Sequence, residues 1–375
     1  MNIDYQNSLT HLRQELSQTL PQVTHLLPQF MLAVGVGYLF NRLHVPVGWL
    51  IGPMIAGIIY AAFHGKPQPL PPIFFIVGQA IVAIATATGF SLHTLGLMRT
   101  YAFPLMICIL VTGGMSVVNG YFLGRWGNID RATGFLSCVP GASYSLIAMS
   151  EAMGADAIAV ALLQYLRILL VAIIVPTLVG FWFAGDGTIH SVVSIPLQTL
   201  PALSPLFNLA ILGSCGTLGI ILGEKFHLPS SLFFGPFLVS LMIFWTVPYS
   251  LEMPSLLFTI GLLFVGFSIG LKFDWNNAKK LGKAVLLEIV LVLILILFCL
   301  GAGYLFHQIT QVDTMTAILG STPGGITAMI ATVIQLGGDS GIVLAMQMTR
   351  MLLILLISPW FGNVLIKSQK QSHPT

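Results

Sequence analysis

Residues 71–90 read PPIFFIVGQAIVAIATATGF, a full run without a single charge. A helix needs about 20 apolar residues to cross the hydrocarbon core of a bilayer. Comparable runs return at 102–123, 284–306 and 351–366. Inside hydrocarbon no water satisfies the backbone, so such a run folds as a helix or as a strand of a closed barrel. Barrel strands alternate with period two, whereas these runs are continuous and rich in Leu, Ile, Ala and Gly, which selects helix. Only 7% of the residues are charged and 56% are hydrophobic; a soluble chain carries about a quarter charged residues. The expected class is an all-α polytopic membrane protein whose main partner is the lipid bilayer.

The polar stretches are few. Residues 1–27 open MNIDYQNSLTHLRQEL, too polar and acidic for a cleavable signal peptide, and read as a short soluble segment. A linker at 185–206 and a tail at 368–375 complete the soluble parts. A net charge of +3 gives no reason to expect a nucleic-acid partner. Cys108, Cys138, Cys215 and Cys299 are scattered without a CxxC pair and read as buried structural thiols; no metal site and no cofactor is expected.

The chain is duplicated. Shifted by 183 residues, 133–176 aligns with 316–359 without a gap, with 15 identities in 44 pairs. Shared Leu or Ile would follow from composition alone. The shared set instead includes Pro140/Pro323, Gly141/Gly324, Gly154/Gly337, Asp156/Asp339, Gln164/Gln347, Arg167/Arg350 and Pro176/Pro359. The same offset pairs HVPVGWLIGP at 44–53 with HLPSSLFFGP at 227–236, and Gly120-Tyr121 with Gly303-Tyr304. Repeat 1 covers 28–184 and repeat 2 covers 207–367.

Each repeat offers four plausible spans, a Pro-Gly segment and a long final helix. The Pro-Gly segment either crosses fully, giving parallel repeats, or is re-entrant or broken, giving about five crossings per repeat and inverted topology. Cytoplasmic loops collect Lys and Arg. In the inverted arrangement with a cytoplasmic N-terminus, eleven of the fifteen basic residues fall inside, and only Arg42 and Arg99 fall outside. Arg167 and Arg350 then lie in the membrane, and the 185–206 linker, which has neither Lys nor Arg, is extracytoplasmic. The parallel arrangement splits the loop charges seven to six. Inverted repeats are therefore expected, in a bacterial plasma membrane.

Inverted repeats bring equivalent breaks together near the midplane, and a broken helix is tolerated there where it lines a polar cavity. The candidate substrate-binding residues are Pro140, Gly141, Ser143, Gln164 and Arg167 from repeat 1. Repeat 2 adds Thr322, Pro323, Gly324, Gly325, Gln347 and Arg350. Gln164 with Arg167, and Gln347 with Arg350, are three apart and share a helix face. A charge that deep costs at least about 2.5–3.5 kcal/mol and should face a partner or a cavity. The guanidinium fork suits carboxylate or phosphate, and a half-helix N-terminus after Pro-Gly also attracts anions. The competing reading makes each arginine a structural ion pair or a cap on carbonyls of the opposite repeat. Asp156 and Asp339 precede apolar helical runs and read as N-caps, with a cation or proton site as the alternative. Glu151 has Ile334 as its counterpart and reads as a loop residue. His44 and His227 read as helix-end caps.

At VPGAS…GADAIAVALLQYLR…P, its copy TPGGI…GGDSGIVLAMQMTR…P, and VPVGWLIGP, the sequence resembles the AbrB-type duplicated membrane family of bacteria over nearly the whole chain. The second copy departs at Gly325, where the first has Ala142. Members carry the labels ammonia monooxygenase and regulator of gene expression. Oxygen chemistry on copper or iron needs clustered imidazoles or carboxylates; the nine His are dispersed, and no enzyme activity is expected. The expected function is secondary transport of a small solute or ion, an anion before a cation. The alternative is a membrane-embedded regulator acting indirectly on gene expression. A homodimer is left open.

Overall fold

The computed structural model describes residues 27–183 and 204–353, except 66, 89, 91–95, 97–99, 140–145, 147–149, 151–153, 227, 229 and 247–250. The described residues are helices and their connections, with no strand among them. In repeat 1 the helices are α1 (27–42), α2 (Gly48–His64), α3 (Pro72–Thr88), α4 (Ala102–Trp126), α5 (Arg131–Cys138) and α6 (Ala157–Phe183). Repeat 2 contains α7 (Pro205–Lys225), α8 (Ser231–Thr246), α9 (Ser255–Gly270), α10 (Trp275–Lys280) and α11 (Gly282–Thr310). It continues with α12 (Thr314–Ser321), α13 (Ile326–Leu336) and α14 (Ser340–Leu353). Four of the described helices, α4, α6, α7 and α11, are both long and apolar enough to cross a membrane. Five of the others, α1, α2, α3, α8 and α9, rise about 1.5 Å per residue over 16 or 17 residues, slightly short of a hydrocarbon core about 30 Å thick.

Apolar helices in lipid gain nothing from hiding oil from water, so close backbone packing has to hold them together. Glycine supplies it here, at equivalent positions of both repeats. A Cβ on Gly52 of α2 would sit 2.7 Å from the Gly37 Cα of α1, and one on Gly235 of α8 would sit 1.9 Å from the Gly219 carbonyl oxygen of α7. These contacts close two antiparallel hairpins, α1–α2 and α7–α8. Pro53 and Pro236 stand inside the second helix of each.

The repeats then grip one another. A Cβ on Gly266 or on Gly270 of α9 would meet the carbonyl oxygens of Leu50 or Met54 of α2, each at 2.1 Å. Both series step by four in the same sense, so α2 and α9 run in the same direction. Between α3 and α9, a Cβ on Gly78 would meet the Gly261 carbonyl at 2.9 Å, and one on Gly261 would meet the Gly78 carbonyl at 3.5 Å. These two glycines are 183 apart: each meets its own copy, as residues beside a two-fold axis do. Asn119 of α4 adds a polar tie, donating from Nδ2 to the Leu291 carbonyl of α11 at 3.0 Å.

The core runs through the centre, from Leu162, Leu166, Leu169 and Val171 of α6 to Met329, Ile330, Ala331 and Val333 of α13 and Val343 and Leu344 of α14. The expected soluble segments lie outside the described residues, apart from residue 27 and 204–206.

Candidate functional site

Repeat 2 contains the broken segment that its Pro-Gly sequence predicts. Helix α12 stops at Ser321 and α13 starts at Ile326. The backbone is extended at Thr322 and at Gly325, the N-cap of α13, which receives no side-chain cap. Proline has no N–H to continue the ladder, so the carbonyls at the end of α12 lose their helical partners. Two long side chains of α14 replace them. Gln347 Nε2 donates to the carbonyls of Leu319 (3.1 Å) and Thr322 (3.0 Å). Arg350 donates from Nη1 to the Ser321 carbonyl (3.1 Å) and from Nη2 to the Thr322 carbonyl (3.3 Å), and Nη2 also bonds Gln347 Oε1. A cation at the C-terminal end of a helix also complements its dipole.

Repeat 1 builds the same cap. Gln164 Nε2 donates to the Leu136 carbonyl at 2.8 Å, the position equivalent to Leu319. Arg167 Nη1 donates to the carbonyls of Ser137 (3.3 Å) and Cys138 (2.6 Å), and Nη2 to that of Val139 (3.4 Å). The expected caps on the opposite repeat are thus replaced by caps on the arginine's own repeat, because α6 packs beside α5 and α14 reaches the end of α12 through Gln347 and Arg350. Pro140, Gly141 and Ser143, together with Glu151, lie outside the described residues.

Asp156 is the N-cap of α6: its Oδ1 accepts the N–H groups of Ile158 and Ala159, both at 3.0 Å. Asp339 does the same for Gly341 (2.8 Å) and Ile342 (3.1 Å) at α14. Each is preceded by a left-handed glycine, Gly154 (φ 69°) and Gly337 (φ 81°), the conformation that ends a helix at least cost without a Cβ. Sequence reasoning missed the second half of this device. Asp130 caps α5 and Asp313 caps α12, through Thr133 and Thr316. The hydroxyls of these threonines then accept the N–H groups of Asp156 (2.9 Å) and Asp339 (3.0 Å). A D-x-x-T pattern, repeated at the 183 offset, was the available signal.

The two capped ends converge. A Cβ on Gly324 would lie 2.8 Å from Val171, and one on Gly325 would lie 3.5 Å from Ile168. The break of repeat 2 therefore rests on the α6 turn next to Arg167. Arg167 and Arg350 are 3% and 5% exposed, so the helix that carries Arg167 and the break that Arg350 caps meet with both guanidiniums buried. Among the described residues the only buried carboxylate is Glu288 of α11, 1% exposed, and it acts electrostatically on Arg167. Cys138 donates its thiol to Glu288 Oε2 at 3.3 Å. Sequence reasoning also passed over Glu288; its signal was a lone acid within a 29-residue helix whose most apolar 18-residue window has a mean hydropathy of 3.1. Gln164 Oε1 and Arg167 Nε are buried without a hydrogen-bond partner. The four cysteines are free and buried, as their scatter predicts. Among the described residues no group of three or more His, Cys, Asp or Glu is placed to hold a metal ion.

Membrane-length apolar helices and an arginine cap repeated at the 183-residue offset place the described residues in the class of all-helical proteins of the membrane type. The chain belongs to the AbrB family: the family model described as "Transition state regulatory protein AbrB" matches residues 49–365. It is similar to an Escherichia coli (strain K12) protein named "Putative regulator AbrB", 30% identical over 334 residues covering 88% of this chain and 92% of that protein. It is also similar to "Uncharacterized protein YhjN" of Bacillus subtilis (strain 168), 22% identical over 355 residues, 88% of this chain and 90% of that one.

Proposed function

We propose that the chain is an integral protein of the bacterial inner membrane that carries a small anion as a secondary transporter, bound between two inverted repeats. One observation carries the reading: two buried guanidiniums, one from each repeat, stand where the break of repeat 2 rests on α6, against a single buried carboxylate among the described residues. An anion between them would balance that excess positive charge. The unpartnered Arg167 Nε is a donor in the plane of the guanidinium, suited to a carboxylate oxygen. The packing directions support the inversion. Helix α9 is the copy of α3, and Gly78 of α3 lies against Phe264 and Val265 as well as Gly261, while Ile81 lies against Gly261. The later residues of one helix thus meet the earlier residues of the other, so the two copies run in opposite directions. Under this reading both termini face the cytoplasm.

The test is ligand-induced thermal shift of the purified protein with succinate, acetate, phosphate and sulfate. A bound anion at 100 times its Kd stabilises by about 2.7 kcal/mol. Arg167→Lys and Arg350→Lys keep the charge and lose the fork, so at least one should abolish the response. An unchanged response in both variants makes the arginines scaffold only.

A further inference from the structure

Glu288 has no counterpart in the duplication. The equivalent position of repeat 1 is Leu105, so the acid was not inherited as part of the shared frame. It lies two turns into α11, bonded to Cys138, which packs in one apolar cluster with Leu123, Leu163, Ala284 and Leu291. A carboxylate in such surroundings is expensive, and where it persists it usually serves an ion or proton path. The groups that face it are few. Helix α6 brings Arg167, and the end of α5 brings the Cys138 thiol. On α4, Asn119 reaches the Leu291 carbonyl, about one turn along α11 from Glu288, and its Oδ1 is unpartnered. Lys279 and Lys280 of α10 and Lys283 of α11 are exposed, and α12 brings no titratable side chain.

The hydrogen bonds of Arg167 go to carbonyls. Its Nη groups are thus held by neutral oxygens, one of them the carbonyl of Cys138, the residue whose thiol bonds Glu288. The charges of the buried cluster are then two guanidiniums and one carboxylate. With Glu288 ionised the sum is +1; with Glu288 protonated it is +2. An anion binds the second state more tightly, and by linkage its binding raises the proton affinity of Glu288 by the same factor. We propose that Glu288 is the proton-binding residue of this cluster, protonated when the anion is taken up between Arg167 and Arg350 and deprotonated when it leaves. Proton and anion then move together in the same direction. This rests on the transport reading above and adds its coupling ion.

The experiment uses the full chain in sealed vesicles, with radiolabelled succinate as the probe. Outside pH is set between about 8.5 and 6.5, a range in which succinate stays largely ionised. Wild-type uptake should rise by at least about threefold as outside pH falls, and Glu288→Gln should bring that ratio to about one. Glu288→Asp should restore the dependence, because it restores a titratable carboxyl; a purely structural role would lower flux equally at both pH values. Infrared difference spectra of wild type against Glu288→Gln should show a protonated carboxyl band that grows on acidification. If wild type and Glu288→Gln share the same pH ratio, the coupling role is overturned and transport stands. If wild type moves no succinate at either pH, the transport reading falls for this class of anion and the coupling role falls with it.

Discussion

At the end of α5 the capped carbonyl belongs to Cys138, whose thiol reaches across to Glu288 of the other repeat. At the end of α12 it belongs to Ser321, whose hydroxyl turns to the carbonyls of Ile318 (2.9 Å) and Cys299 (3.0 Å). The arginine above the cysteine has an acid beside it and an unpartnered Nε; the arginine above the serine bonds its neighbouring glutamine. Everything that builds the break is shared: Asp cap, Thr relay, left-handed Gly, Asp cap, Gln and Arg on carbonyls. Everything that adjusts charge differs. A helix break in an apolar surrounding leaves orphan carbonyls in any state of the protein, so the device that satisfies them is kept in both copies. The charge balance around it is free to diverge.

That division can be broken by experiment. Arg167→Ala should be the most destructive change, at about 3–5 kcal/mol, because it uncaps three carbonyls and leaves Glu288 buried without its cation. Arg350→Ala, which orphans no carboxylate among the described residues, should cost about 1–3 kcal/mol. Chemical unfolding of both variants in the same detergent measures the gap, and equal losses would erase the distinction between the half-sites. Next in size is a rescue. Arg167→Met combined with Glu288→Leu removes both charges and should recover at least half the loss of Arg167→Ala, because an apolar replacement of a buried pair is often neutral; failure to recover would place the whole cost in the carbonyl cap. The smallest effects should fall on the shared frame. Asp130→Ala, Asp313→Ala, Asp156→Ala and Asp339→Ala should each cost about 1 kcal/mol, with equivalent pairs agreeing within about 0.5 kcal/mol.

Much of this frame was legible in the sequence, for a physical reason. Polar residues are costly in apolar helices, so Asp, Gln and Arg recurring at a fixed offset stand out against a background of Leu and Ile. The Asp residues were readable as caps because a cap is local. The targets of the arginines were not, since sequence states that a charge is deep and not which neighbour's carbonyls it reaches. Glu288 escaped because a search for repeats sees what is paired, and this acid is alone. The contact of Gly324 with Val171 was equally hidden, since only folding brings two turns that far apart in sequence together.

The contact of Gly78 with Gly261 has a mechanical meaning. If one repeat turns against the other, points on the line of rotation stay still while distant points sweep through the largest arcs. For a turn about a line through Gly78 and Gly261, two glycines that touch each other across the repeats, this contact would be the fulcrum, with backbone resting on backbone. A methyl group at either position would act as a shim between α3 and α9. Because α2 packs on α9 and α8 on α3, the displacement would be passed outward to both hairpins, stiffening the whole molecule from its centre.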